Sequence, residues 1–129
     1  MNNQKTLFMG VSEVAEKCGV SKTSAYKIIK RLNVDLGRMH KLVQNGRIQR
    51  VFFYSRIYGS MEENVKEEKL FITATEMAEK CGIPVNTLYP KIRKSNEELR
   101  KEGYVVFCGK LPKAYFNHHW MYERENPEN

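Results

Sequence analysis

Apolar residues recur at helical spacing in two successive stripes near the start of the chain. Val11, Val14, Ala15 and Cys18 form the first; Ala25, Ile28, Ile29, Leu32 and Leu36 form the second. Steps of three and four predict two amphipathic helices, each with one face turned to a core. Gly19, between them, can take the left-handed conformation that ends a helix, and Val20 plugs the turn. Ser12 is the expected N-cap of the first helix and Ser21 of the second, because a hydroxyl can accept from the unpaired amides of a first turn. Residues 41–44 and 48–54 then flank Asn45-Gly46, a two-residue turn signal that predicts a β-hairpin.

The whole pattern returns 63 residues later without a gap. Residues 7–36 lie over 70–99, and 45–53 over 108–116. The block AEKCG occupies 15–19 and again 78–82. An in-register identity of this length, carried on so many apolar matches, is the mark of a duplication. The second copy has Thr75 as expected cap and a first stripe of Ala74, Met77, Ala78 and Cys81. Gly82 and Ile83 form its turn, and Leu88, Ile92 and Leu99 its second stripe. Residues 104–107 and 111–116 flank Cys108-Gly109. The chain therefore reads as copy 1 (1–59), an acidic linker (60–69), copy 2 (70–122) and a polar tail (123–129). The fold class expected is α+β, two helix, turn, helix, hairpin units forming an internal pseudo-dimer within a monomer.

One departure separates the copies. Pro90 stands where the first copy has Lys27, and Pro84 replaces the capping Ser21. Proline removes an amide donor and clashes with the preceding turn. Either the second helix of copy 2 kinks, or it starts late, with Asn86 as cap and Pro90 at the edge of the first turn. The two helices then present unlike surfaces.

Charge sharpens the picture. The chain carries a net charge of +7 over 129 residues, which favours a polyanionic partner. The surplus is uneven: residues 1–59 hold 11 Lys/Arg against 3 Asp/Glu, residues 60–69 hold 2 against 4, and residues 70–129 hold 9 against 8. On the second helix of copy 1 the polar face is Lys22, Thr23, Tyr26, Lys27, Lys30 and Arg31; in copy 2 it is Asn86, Tyr89, Arg93 and Lys94. A cation follows each turn, Arg47 or Lys110, and another sits three residues on, Arg50 or Lys113.

Other chemistry finds little footing. No stretch approaches the roughly 20 apolar residues of a membrane span, so no membrane partner is expected. Residues 1–10 contain no signal-peptide core. Cys18, Cys81 and Cys108 lack paired spacing and suit buried thiols in a reducing cytoplasm. His118, His119 and Trp120 have no cysteine or carboxylate at ligand spacing and are read as a strand or helix packing on copy 2. No catalytic triad, phosphate-cradling glycine loop or paired carboxylates appear, so neither enzyme activity, metal nor cofactor is expected.

The run (V/A)(S/T)E(V/M)AEKCG(V/I), with the Tyr, Ile, Asn and Leu positions and the turn glycine that follow, resembles the winged helix-turn-helix of the excisionase and MerR-like group. The tandem layout at this length resembles the TraN-type DNA-binding proteins of Gram-positive conjugative plasmids. The resemblance implies double-stranded DNA as partner, with the second helix of each unit in a major groove and the hairpin wing on the backbone or minor groove. It implies a cytoplasmic accessory or regulatory protein of conjugative transfer acting near the transfer origin, beside a relaxase or other transfer and recombination proteins. On that reading Lys22, Lys27, Lys30 and Arg31 meet phosphates and guanine edges. Thr23 and Asn86 either reach base edges or cap their helices. Tyr26 and Tyr89 either bond phosphate or pack against the wing. Arg47, Arg50, Lys110 and Lys113 sit over phosphate or in a narrow minor groove. Two heads in adjacent major grooves would lie about 34 Å apart and cover on the order of 20 base pairs. The alternatives are an excisionase-like or operon-repressing protein, or a scaffold in which only copy 1 grips DNA. RNA binding, by stacking of the aromatic residues, is a third.

Overall fold

A computed structural model describes residues 6–59 and 69–121. The predicted tail, and the predicted linker apart from Lys69, lie outside the described residues. The chain divides into two compact units, Met1–Phe71 and Ile72–Asn129. Each repeat follows one order. The first runs β1 (Phe8–Gly10), α1 (Val11–Cys18), α2 (Lys22–Arg38), β2 (Arg47–Gln49) and α3 (Arg50–Ser55). The second runs β3 (Phe71–Thr73), α4 (Ala74–Cys81), α5 (Val85–Lys101), β4 (Lys110–Pro112) and α6 (Lys113–Tyr115), continuing as a π-helical turn, Phe116–Trp120. The architecture is mixed α+β. None of the described helices is long and apolar enough to cross a membrane.

The helices form where the stripes place them. In unit 1 Val14, Ala15 and Cys18 from α1 meet Ala25, Ile28, Ile29, Leu32 and Leu36 from α2, all buried. Met77, Leu88, Ile92 and Leu99 do the same in unit 2. Gly19 ends α1 at φ 69° and donates its amide to Ala15 O at 2.8 Å. Gly82 ends α4 at φ 72°, donating to Ala78 O at 2.8 Å. A side chain at either position would have to adopt a conformation that L-residues enter at about 1–2 kcal/mol.

The first helices begin earlier than the cap rule suggests. Their N-caps are Gly10 and Thr73, not Ser12 and Thr75, which lie inside the first turn. The strands run directly into the helices, so the capping position falls where the strand ends. Thr73 Oγ1 accepts from Glu76 N at 3.1 Å while Glu76 Oε1 accepts from Thr73 N at 2.9 Å, a reciprocal capping box. Ser21 caps α2 as expected, accepting from Ser24 N at 3.1 Å.

Of the two alternatives for α5, a kink or a late start, the late start does not occur. The helix begins at Val85 after Pro84, and Pro90 lies within it. Thr87 N already donates to Pro84 O at 3.1 Å, so Asn86 lies inside the first turn and does not precede it as a cap. The preset φ of Pro84, −63°, favours that turn. Asn86 and Pro90 are both exposed, so water can take the carbonyl that Pro90 leaves without a donor.

The predicted hairpins are replaced by a different pairing. Only a single bridge, Gln44 to Arg47, forms across the Asn45-Gly46 turn. The partner of β2 is β1, antiparallel, with Phe8 opposite Gln49, Met9 opposite Ile48 and Gly10 opposite Arg47. In unit 2 the pair is β3 with β4. Residues 50–54 and 113–116 are helical rather than extended. The turn explains part of this. Arg47 N donates to Gln44 O at 3.0 Å with φ 79° at Gly46 and a negative φ at Asn45. A turn with positive φ only at its third residue splays its flanking strands instead of matching their twist. The rest lies in the apolar positions: Phe53, Tyr54 and Ile57 are buried with Arg50 at spacings of three, four and seven, one face of a helix.

Of the thiols expected to be buried, only Cys18 is; Cys81 and Cys108 are exposed. The His118–Trp120 stretch packs as a helix on α5. Trp120 Nε1 donates to Ser95 Oγ at 3.2 Å, and the His119 ring stacks on Tyr115 at 4.4 Å.

Candidate nucleic-acid interface

The candidate surface is the outward side of α2 and α5 together with the turn beside each. On α2, Lys22, Thr23, Tyr26, Lys27, Lys30 and Arg31 are all exposed. Apart from Asn33, the buried inward positions of the same 17-residue helix are apolar, and this fixes the rotation that turns the cations outward. Among the described residues none of these four cations has a carboxylate within ion-pair distance; the pairs formed are Arg38–Asp35 and Arg50–Glu13. On α5, Asn86, Tyr89, Arg93 and Lys94 are exposed likewise. The match is partial. Val85 stands at the position of Lys22 and Pro90 at that of Lys27, so α5 shows a thinner positive stripe.

Each turn is fastened to its helix by an asparagine. Asn33 Nδ2 donates to Gln44 O at 3.2 Å and to Arg47 O at 2.8 Å. Asn96 Nδ2 repeats both bonds, to Phe107 O at 2.9 Å and Lys110 O at 3.2 Å. The residues bonded are equivalent in the two repeats. A single amide thus holds both ends of the turn and sets where Arg47 and Lys110 emerge relative to the helix face. Asn33→Ala is expected to destabilise unit 1 by about 1–2 kcal/mol, since the Arg47 and Gln44 carbonyls each lose a bond, Gln44 O keeping the one from Arg47 N. Urea unfolding followed by far-UV circular dichroism checks it.

The tyrosines serve the same junction. A Cβ at Gly46 would lie 3.8 Å from Tyr26 Cε1, and one at Gly109 would lie 3.7 Å from Tyr89 Cε1. Each ring edge therefore covers a turn glycine while 44% of Tyr26 and 42% of Tyr89 stay exposed. Beside α5 the arrangement leaves an open groove of about 360 Å³, lined by Tyr89, Arg93, Asn96, Glu97, Arg100 and Gly109.

The cations after the turn divide. Arg47 is exposed. Arg50, expected as its companion on the wing, is only 5% exposed. It is a tie within unit 1: Nη1 meets Glu13 Oε2, Nε donates to Thr6 O at 3.0 Å and Nη2 to Phe8 O at 3.3 Å. Its reassignment follows from the fold, because position 50 starts α3 on the β1 side. Lys110 and Lys113 are half-buried. Lys113 corresponds to Arg50 and Glu76 to Glu13; in unit 2 the lysine acts on Glu76 through its charge.

Glu76 lies below the ordinary carboxylate value of 4.5, chiefly because it accepts from the Thr73 amide, with the Thr73 hydroxyl, Lys113 and Lys110 adding to the effect. A lowered folded value means stabilisation that is complete above the unfolded value and lost as the pH falls through the folded one. Unit 2 is therefore expected to weaken below about pH 4.5. Trp120, the only tryptophan, reports its unfolding, and Glu76→Gln should flatten the acid limb of that profile.

The turn clamps, Asn33 and Asn96, were not among the expected site residues, nor was Arg100. The signal for the clamps was present: an identical polar residue at the buried register of both second helices. Among the described residues no group of three or more His, Cys, Asp or Glu is placed to hold a metal ion. Comparison of the chain with protein-family models, with curated proteins and with solved structures finds no match.

Proposed function

We propose that this protein binds double-stranded DNA in a sequence-specific manner through two linked helix-turn-helix heads, α2 and α5 each entering a major groove. The observation that carries the reading is the α2 face: Lys22, Lys27, Lys30 and Arg31 exposed along one side without carboxylate partners, beside Thr23 and Tyr26. Unpaired cations on a rigid helix suit phosphate oxygens, and side chains near its N-terminus suit base edges. The clamped turn adds Arg47 in unit 1 and Lys110 in unit 2 as flanking backbone contacts. Linking two weak heads makes the second docking intramolecular and raises the joint affinity. The resemblance to TraN-type and excisionase-like proteins supports a cytoplasmic role in conjugative transfer near a transfer origin. Excision and operon repression would use the same surface.

The test is to retain sheared DNA from the source replicon on the immobilised full chain at about physiological salt and sequence it. One sharp site is expected, and its neighbours identify the process served. Uniform retention contradicts sequence-specific reading.

The thinner stripe on α5 supports a second reading, in which unit 1 grips DNA and unit 2 holds a protein such as a relaxase. Replacing Asn86, Tyr89, Arg93 and Lys94 together by alanine separates the two. The two-headed reading expects at least a tenfold loss of affinity for the selected site, about 1.4 kcal/mol. Unchanged affinity favours the scaffold.

A further inference from the structure

The two repeats begin alike, on Leu7-Phe8 and Leu70-Phe71, and their first helices end alike, on AEKCG. One starting segment and one helix end meet; their counterparts stay bare. Leu70 and Phe71 are the last residues of unit 1. Leu70 N donates to Lys17 O at 2.7 Å, at the end of α1, and Leu70 is only 5% exposed. Leu7, the equivalent residue, is 51% exposed. Among the described residues Leu7 N donates to no backbone carbonyl, and Lys80 O, the equivalent of Lys17 O, accepts no backbone amide from outside its helix.

The two helix ends are built the same way. Gly19 N and Val20 N both donate to Ala15 O, and Gly82 N and Ile83 N both donate to Ala78 O. In each case these bonds gather the end residues into a single turn, so they form one surface. Their exposure nevertheless differs at every position. At the end of α1, Ala15 and Cys18 are buried, and Lys17, Gly19 and Val20 are half-buried. At the end of α4, Ala78 is half-buried, and Lys80, Cys81, Gly82 and Ile83 are all exposed. Neither local sequence nor backbone accounts for the difference. It goes with the Leu70 segment, which is bonded to the end of α1 and has no equivalent on α4 among the described residues.

We infer that the chain associates head to tail, the Leu7 segment of one copy docking on the Lys80–Ile83 end of α4 in another. The occupant is a second copy because the matching contact already exists once, between Leu70 and the end of α1. What is left over, Leu7 and the end of α4, is the same pair of parts. Such a contact is heterologous: each chain offers one segment and one helix end, on different surfaces. Charge agrees with this pairing. Residues 1–59 hold 11 Lys/Arg against 3 Asp/Glu and residues 70–129 hold 9 against 8, so a contact between unlike repeats spares the repulsion that two basic repeats would meet. The contact is small, and the association is correspondingly weak.

The experiment is sedimentation equilibrium of the full chain, without DNA, from micromolar to millimolar concentration at physiological salt. Leu7→Asp places a charge in the segment, and Ile83→Asp places one on the surface that receives it. Cys81→Asp is a second variant of that surface. All three positions are exposed, so far-UV circular dichroism should match the parent. The mean mass of the parent is expected to rise with concentration, and each variant alone should stay a single chain. An equimolar mixture of Leu7→Asp with either helix-end variant should associate again and stop at two chains, because each partner supplies the part that the other lacks. A parent that remains a single chain at the highest concentration overturns the inference. So does association undiminished in the variants, and so does a mixture that stays at one chain, since a contact between like surfaces is not rescued in this way.

Discussion

Replacing Lys22, Lys27, Lys30 and Arg31 together by alanine is expected to lower the affinity for duplex DNA about a thousandfold at roughly physiological salt. Each neutralised phosphate steepens the salt dependence by about 0.9 in log–log slope, and at about 0.15 M one contact then contributes roughly 0.7 of a decade. Four such contacts give close to three decades, far more than a scattered set of surface charges would supply. The four side chains are exposed, and among the described residues none is in an ion pair. Their removal should therefore cost little stability, and alanine suits a helix at least as well as lysine or arginine. The variant isolates binding from folding. Anisotropy titration of a labelled duplex gives the affinity, and circular dichroism confirms that α2 persists. Thr23→Ala and Tyr26→Phe leave the charge untouched and report whether the side chains between the cations add discrimination among sequences.

Arg50→Ala is expected to destabilise unit 1 by about 3 kcal/mol, the largest stability effect of any single polar substitution among the described residues. The guanidinium is almost wholly enclosed and has three partners: Glu13 on α1 and the carbonyls of Thr6 and Phe8 around β1. Removing one partner of a buried pair commonly costs about 3–5 kcal/mol. The lower end applies because the Glu13 side chain is 31% exposed and can regain water. Arg50→Lys places in unit 1 the residue that unit 2 uses at the equivalent site, and should lose less, since it keeps the charge but not the fork of donors. Urea unfolding by far-UV circular dichroism orders the three proteins: parent, lysine variant, alanine variant. If the alanine variant loses DNA affinity without losing stability, Arg50 belongs to the interface and its structural role is wrong.

The contrast between Arg47 and Arg50 shows what could be read from the sequence and what could not. Both are cations after the same turn, and nothing local separates them. Burial of Arg50 depends on Glu13, 37 positions earlier, and on a three-residue strand that sequence patterning does not reveal. The duplication was legible because identical residues recur in register. The helices were legible because their stripes repeat at 3.6 residues. The segment 48–54 was not, since a short apolar run suits a strand and a buried helix equally until its partner is known. The Asn45-Gly46 signal marked a real turn but the wrong connection, because only the glycine takes a positive φ there. The start of α5 was left open between a kink and a late start for a related reason. Pro90 is costly inside a helix, yet the turn closed by Thr87 and the packing of Leu88, Ile92 and Leu99 outweigh it. The outward face of α2 followed directly from the positions of its buried residues, so most of the candidate surface was visible before the fold. Asn33 and Asn96 were hidden in plain view, polar residues standing where the stripe calls for apolar ones.

The central claim is that the exposed cations of α2, supported by the turn beside it, engage the phosphates of duplex DNA. The most direct test is the apparent dissociation constant of the full chain for a duplex of about 30 base pairs, measured across sodium chloride from about 50 to 300 mM. The account predicts affinity that falls steeply with salt, with a slope of log K against log salt of about −4 or steeper. A flat slope, or no binding at the lowest salt, would contradict it.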